Sequence, residues 1–148
     1  MNDKRNGLTY AQAVAPTARV APVPCREGHT AVTFHVGRLE RVVDVPPALV
    51  WEAWTQPEHI KHWFTPAPWT TVDCEVDLRP GGAFRFVMRS PEGKDYPNIG
   101  CFLEIVDGER ITFTNALLGG WRPAEHPFMT AIITLQEHPQ GTEYVAHV

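Results

Sequence analysis

His59 and His62 stand three residues apart, a spacing that on a helix brings two imidazoles to one side. Such a pair suits a metal ion, but a third donor is needed, and His126 or Glu58 would have to supply it. Lys61 lies between the two histidines and no Cys or Asp clusters beside them, so they read as solvated helix residues and no metal is expected. Asp73 and Glu75 have the types for general acid–base work. They lie on the polar phase of an alternating segment, which reads as a solvated strand face. Gly81-Gly82 and Gly119-Gly120 lack the strand–glycine loop–helix order of a phosphate site, so they are turn glycines and no cofactor is expected. No Ser-His-Asp or Cys-His set is present in usable form, and no catalytic residue is assigned. Arg85 and Glu104 are less easily set aside, because both sit inside apolar strand segments. An inward charge would need a counter-charge or a bound anion.

The elements that position these residues follow from period and punctuation. Leu39, Arg41, Val43 and Val45 alternate with Glu40, Val42 and Asp44, a strand that Pro46-Pro47 ends. A helix over Pro47–Gln56 follows, with Leu49/Ala53 and Val50/Trp54 as i,i+4 pairs. Thr55-Gln56-Pro57-Glu58 matches a capping box for a second helix, Pro57–Phe64, with Ile60, Trp63 and Phe64 on its inner side. Val72, Cys74, Val76 and Leu78 then mark a half-buried strand. Arg79-Pro80-Gly81-Gly82 turns it into Phe84, Phe86 and Met88. Ile99 to Ile105, Ile111 to Asn115, Phe128 to Glu137 and Thr142 to Val148 complete about seven strands, with a longer loop over Leu117–Pro127. Strands joined mainly by hairpins, with helices in one place, give an α+β fold with an antiparallel sheet.

With 148 residues, 43% hydrophobic and 20% charged, one domain can bury a true core. A net charge of -4 argues against a nucleic-acid partner. No apolar run is long enough to span a membrane. Leu8 to Val23 is broken by Gln12, Thr17, Arg19 and two prolines, which is unlike a secretory signal and points to the cytoplasm. Cys25, Cys74 and Cys101 lack metal-ligand spacing, and Cys74 and Cys101 fit as small hydrophobes in a reducing compartment. Residues 1–29, rich in alanine and proline, read as a flexible arm with one helical turn near Tyr10 to Val14; the domain proper spans 30–148.

Several of these pieces together resemble the SRPBCC (START-like, helix-grip) superfamily, and within it the homologues of the activator of heat-shock-protein-90 ATPase. The residues that carry the resemblance are Val45-Pro46, Val50-Trp51-x-Ala53-Trp54-Thr55-x-Pro57-Glu58, Trp63, Asp77-Leu78-Arg79-Pro80-Gly81-Gly82 and Phe84-Arg85. Pro91-x-Gly93, Gly100-x-Phe102-x-Glu104 and Glu109-Arg110-Ile111-x-Phe113-Thr114 also fit. The resemblance implies a bent antiparallel sheet gripping a long carboxy-terminal helix, with an apolar cavity between them. This sequence stops at Val148, so the expectation is a C-terminally incomplete domain or one whose open sheet is covered by a second chain.

The leading expectation is non-catalytic binding of a small hydrophobic molecule in that cavity. Its lining would come from Trp54, Trp63, Phe84, Phe86, Phe102 and Phe113, with Arg85 and Glu104 as polar anchors. A co-chaperone-like or stress-related interaction module, with a homodimer or a chaperone as partner, is the alternative. A cyclase- or hydrolase-type enzyme ranks third, for want of an acid–base constellation.

Overall fold

A computed structural model describes residues 18–20, 35–127 and 129–148, with the side chains of 18–20, 35 and 36 left aside. The expected helical turn near Tyr10 to Val14 lies outside the described residues. Among the described residues ten strands and two helices follow in the order β1 (Ala18–Val20), β2 (His35–Val43), α1 (Pro47–Thr55), α2 (Pro57–Trp63), β3 (Thr70–Val76), β4 (Ala83–Arg89) and β5 (Asp95–Val106). β6 (Arg110–Thr114), β7 (Leu117–Leu118), β8 (Arg122–Pro123), β9 (Thr130–His138) and β10 (Gly141–His147) complete the order. Among the described residues eight strands form one antiparallel sheet in the order β1-β2-β10-β9-β6-β5-β4-β3. Seven of them make up the bent antiparallel sheet that was expected. The eighth, β1, is a three-residue strip laid on β2 by a segment that was expected to be flexible.

Chain order explains where the helices lie. β2 sits near one edge of the sheet and β3 forms the other, so their connection has to cross the curled face. α1 crosses over β9 and β10, and α2 lands on β3. The helix starts match the proline punctuation: Pro47 and Pro57 each open a helix where a missing N–H costs nothing. The capping box is absent, however. Gln56 is the N-cap of α2, and Thr55 still belongs to α1, where its hydroxyl donates to the Trp51 carbonyl at 2.8 Å. With Pro57 fixing the start of α2, Thr55 lies one residue too early to cap it, and back-bonding to i−4 is what remains to it. Glu58 pairs with Lys61 instead.

The core fills the concave side: Leu39, Val50, Trp54, Ile60, Cys74, Phe84, Phe102, Ile111, Phe113, Ile133, Leu135 and Tyr144 are all buried. Two bulges interrupt the alternation. Register slips between Thr71 and Asp73, so Thr71 and Cys74 both point inward although they are three residues apart. A second slip, between Phe102 and Glu104, inserts Leu103 as the extra residue, so Phe102 and Ile105 reach the core together. Among the described residues no helix follows β10, whose last register pairs join His147 to Arg38 and Ile132.

Candidate functional site: an aromatic concave face

The concave face is built around two rings delivered by the helices. Trp54, one turn after Val50 on α1, meets Trp63 of α2 edge-on at 4.6 Å between centroids. Trp63 donates its indole N–H to the Ala53 carbonyl at 2.8 Å, which locks α2 against α1. Phe64 extends the contact to the sheet, 5.3 Å from Phe84 and 4.8 Å from Phe86. Phe84 in turn touches Phe102 at 5.6 Å and Phe113 at 5.4 Å, and Trp54 stacks on Tyr144 at 6.4 Å. Edge-to-face and offset contacts at these distances are the favourable arrangements for aromatic rings.

The centre of this face is packed, with Trp54, Phe84, Phe102 and Phe113 buried. Around it lies a collar of half-buried apolar side chains: Trp51, Trp63, Phe64, Val76, Leu78, Phe86 and Met129. Six of the eight side chains expected at the site therefore gather on one surface. Phe64, expected on the inner side of its helix but not in the lining, joins them, and so does Tyr144, which was not expected there. Phe64 was readable as the residue one turn after Ile60, and Tyr144 as the middle of the buried phase Thr142–Tyr144–Ala146.

Arg85 and Glu104 do not join them, and the expectation that they anchor a ligand in the cavity is corrected. Arg85 lies on the outer face, with Nη1 3.7 Å from Oε2 of Glu75 and its side chain 54% exposed. Its position between Phe84 and Phe86 requires this, since neighbours on a strand face opposite ways. Glu104 has the parity of inward-facing Phe102, but the Leu103 bulge turns it outward, where Arg110 grips both carboxylate oxygens at 2.8 and 3.1 Å. Inside, burial pushes the Cys74 thiol up to about 11, leaving it neutral at ordinary pH. Cys74 and Cys101 are both free; Cys25 lies outside the described residues.

The other candidates fall into place on the surface. His59 and His62 are exposed, as are Asp73 and Glu75. Among the described residues no group of three or more His, Cys, Asp or Glu could hold a metal ion. Two hollows of about 460 and 440 Å³ open at the rim around Pro47. The first is lined by Asp107, Glu109, Arg110 and Glu137, the second by Asp44, Glu137 and His138, and no Phe, Tyr or Trp reaches either. No described helix is long and apolar enough to cross a membrane.

Comparison with known proteins adds a family. The model of the family described as activator of Hsp90 ATPase homolog 1-like protein matches residues 44–148. A solved structure of a protein from Nitrosomonas europaea is 51% identical, with a TM-score of 0.73, over 76% of this chain and 72% of that one. Another, from Chromobacterium violaceum, is 29% identical with a TM-score of 0.64, over 76% of each chain. An AHSA1-like protein from Aeromonas hydrophila, 23% identical with a TM-score of 0.61 over 76% of this chain and 72% of that one, shares the helix-grip fold. No curated protein matches.

Proposed function

The chain belongs to the activator of Hsp90 ATPase homolog 1-like family, and from that premise we propose that it binds a small hydrophobic molecule, without catalysis, against its aromatic concave face. The observation that supports this reading is the half-buried collar of Trp51, Trp63, Phe64, Phe86 and Met129 around a packed aromatic centre. Small-molecule sites are lined mainly by apolar and aromatic side chains, which is the composition of this partly open collar. The arginine and glutamate of β4 and β5 lie on the far side, so the guest surface presents no fixed charge from either. The free thiols of Cys74 and Cys101 support a reducing, cytoplasmic setting.

The test is native mass spectrometry of the full chain purified without added ligand, followed by titration with 1-anilinonaphthalene-8-sulfonate and with a neutral lipophile that competes for the same site. A retained small-molecule mass, or saturable probe binding displaced stoichiometrically by the lipophile, is the expected result. Absence of both overturns the reading. A second reading, a co-chaperone-like interaction module or homodimer, is favoured by Val45 and Leu49, which flank the start of α1 and are 39% and 51% exposed. A dimer in sedimentation, or a chaperone that co-purifies and is lost on Leu49→Glu, would support it over the first.

A further inference from the structure

Cys101 is 0% exposed, yet it does not belong to the concave core. Its register partners are Ala83 on β4 and Thr114 on β6, and its strand neighbour Phe102 points into the aromatic face. Cys101 therefore points to the outer side of the sheet, where Arg85 and Glu104 are solvated. Something has to cover it there.

On that side β7 packs beside β5, in the β7–β8 hairpin, a two-stranded sheet separate from the main one. Gly119 lies flat on Ala83: a Cβ at Gly119 would come 2.8 Å from the Ala83 methyl. Gly120 donates its N–H to the Gly81 carbonyl at 2.8 Å, and the Trp121 indole rests on Gly81, whose absent Cβ would stand 2.5 Å from the indole nitrogen. The base of the excursion is pinched shut. Ala124 N–H donates to the Ala116 carbonyl at 2.9 Å, and below it Met129 and Asn115 bond each other through Met129 N to Asn115 Oδ1 at 2.8 Å and Asn115 N to Met129 O at 3.2 Å. A loop closed at its base can swing without opening the sheet beneath it.

The tip carries strain. Trp121 has φ 62, and among the described residues it is the one non-glycine with positive φ, while 52% of its surface is exposed. The left-handed region disfavours a bulky aromatic, and such outliers persist only where surrounding contacts hold them. What holds this one is the seat on Gly81. Leaving that seat frees the backbone to relax, so the contact and the strain oppose each other across a small movement.

We propose that the β7–β8 hairpin is a strained latch, fastened by Trp121 on Gly81, which opens as a unit and controls access to the Cys101 thiol. Opening is local and leaves the concave core shut. Pulse alkylation of the native full chain with N-ethylmaleimide, read site by site from peptide masses, tests this. Cys74, inside the core, reports global unfolding, so its rate should climb steeply with low urea, while the Cys101 rate should be nearly flat. Trp121→Ala, which keeps the backbone position and removes the fastening, should raise the Cys101 rate at least tenfold with the Cys74 rate unchanged. Equal and steep urea dependence of the two thiols in the unaltered chain would overturn the proposal, and this measurement stands even if Trp121→Ala fails to fold. So would an unchanged Cys101 rate in a folded Trp121→Ala protein.

Discussion

Replacing Trp54 by alanine removes the ring on which helix-to-sheet packing converges. Trp54 is 6% exposed, with the rings of Trp63, Phe113 and Tyr144 at 4.6, 6.2 and 6.4 Å. Burying such a ring takes about 200 Å² from water, or ~5 kcal/mol at ~25 cal/mol per Å². The alanine methyl retains part of that, and the cavity left among rings fixed by one another restores the cost, so the expected loss is ~3–5 kcal/mol. Against a net stability of ~5–15 kcal/mol this is a fifth or more of the total. Urea unfolding followed by far-ultraviolet circular dichroism should show the midpoint falling by ~1–3 M with the slope unchanged. If the variant is unfolded without urea, Trp54→Phe keeps a ring in place and should cost ~1–2 kcal/mol. Leu49→Ala, on the same helix but 51% exposed, should change stability by less than about 0.5 kcal/mol. A loss below about 1 kcal/mol for Trp54→Ala, or an equal loss for Leu49→Ala, would refute the assignment of faces on α1.

Gly82→Ala should be severely destabilising, because its Cβ would collide with the backbone carbonyls of Asp77 and Arg79; soluble yield and melting temperature both fall, and an unperturbed melt would contradict the turn geometry. Arg85→Ala should cost under ~1 kcal/mol and leave hydrophobic-probe binding intact, since its ion pair with Glu75 is exposed; loss of binding would return Arg85 to the site. The Asp95 carboxyl is held below its ordinary value by hydrogen bonds from Arg89, at 2.6 and 2.9 Å. A depressed carboxyl stabilises the fold above its unfolded-state value, about 3.9, and that contribution is lost as pH falls through the lower folded value. The small stability gap between the unaltered chain and Asp95→Asn should therefore be present at pH 7 in low salt and close by pH 2–3; a gap that widens on acidification contradicts the pairing. Cys74 runs the other way: with its thiol pushed up to about 11, its contribution is complete below pH ~8.5 and is lost as pH rises towards 11, a loss that Cys74→Ala should abolish.

Local features of the chain were enough for the element types and for much of the aromatic face. Pro46-Pro47, the single Pro57 and a Pro-Gly-Gly turn mark where the helices start and where β3 reverses, because proline and glycine restrict or free the backbone wherever they occur. Strict alternation over Phe84–Phe86 places both rings on one side and Arg85 on the other, so the outward arginine was readable from parity alone. Glu104 was not. Its parity follows Phe102, and only the register between β5 and β6, with one residue more on β5, turns it to solvent. The same holds for Thr71, which enters the interior because β3 and β4 slip past each other by one residue. Thr55 reads as a cap in isolation, yet becomes the end of α1 once Pro57 starts α2 from Gln56. Cys101 is the clearest case: its apolar surroundings suggest a core position, whereas it lies outside the concave cluster, on the side where Gly119 of the hairpin rests on its register partner Ala83. Period and punctuation act over a few residues and are written locally. Bulges and covering loops are settled by which distant strands pair and in what register, and that balance exists only once the whole sheet has closed.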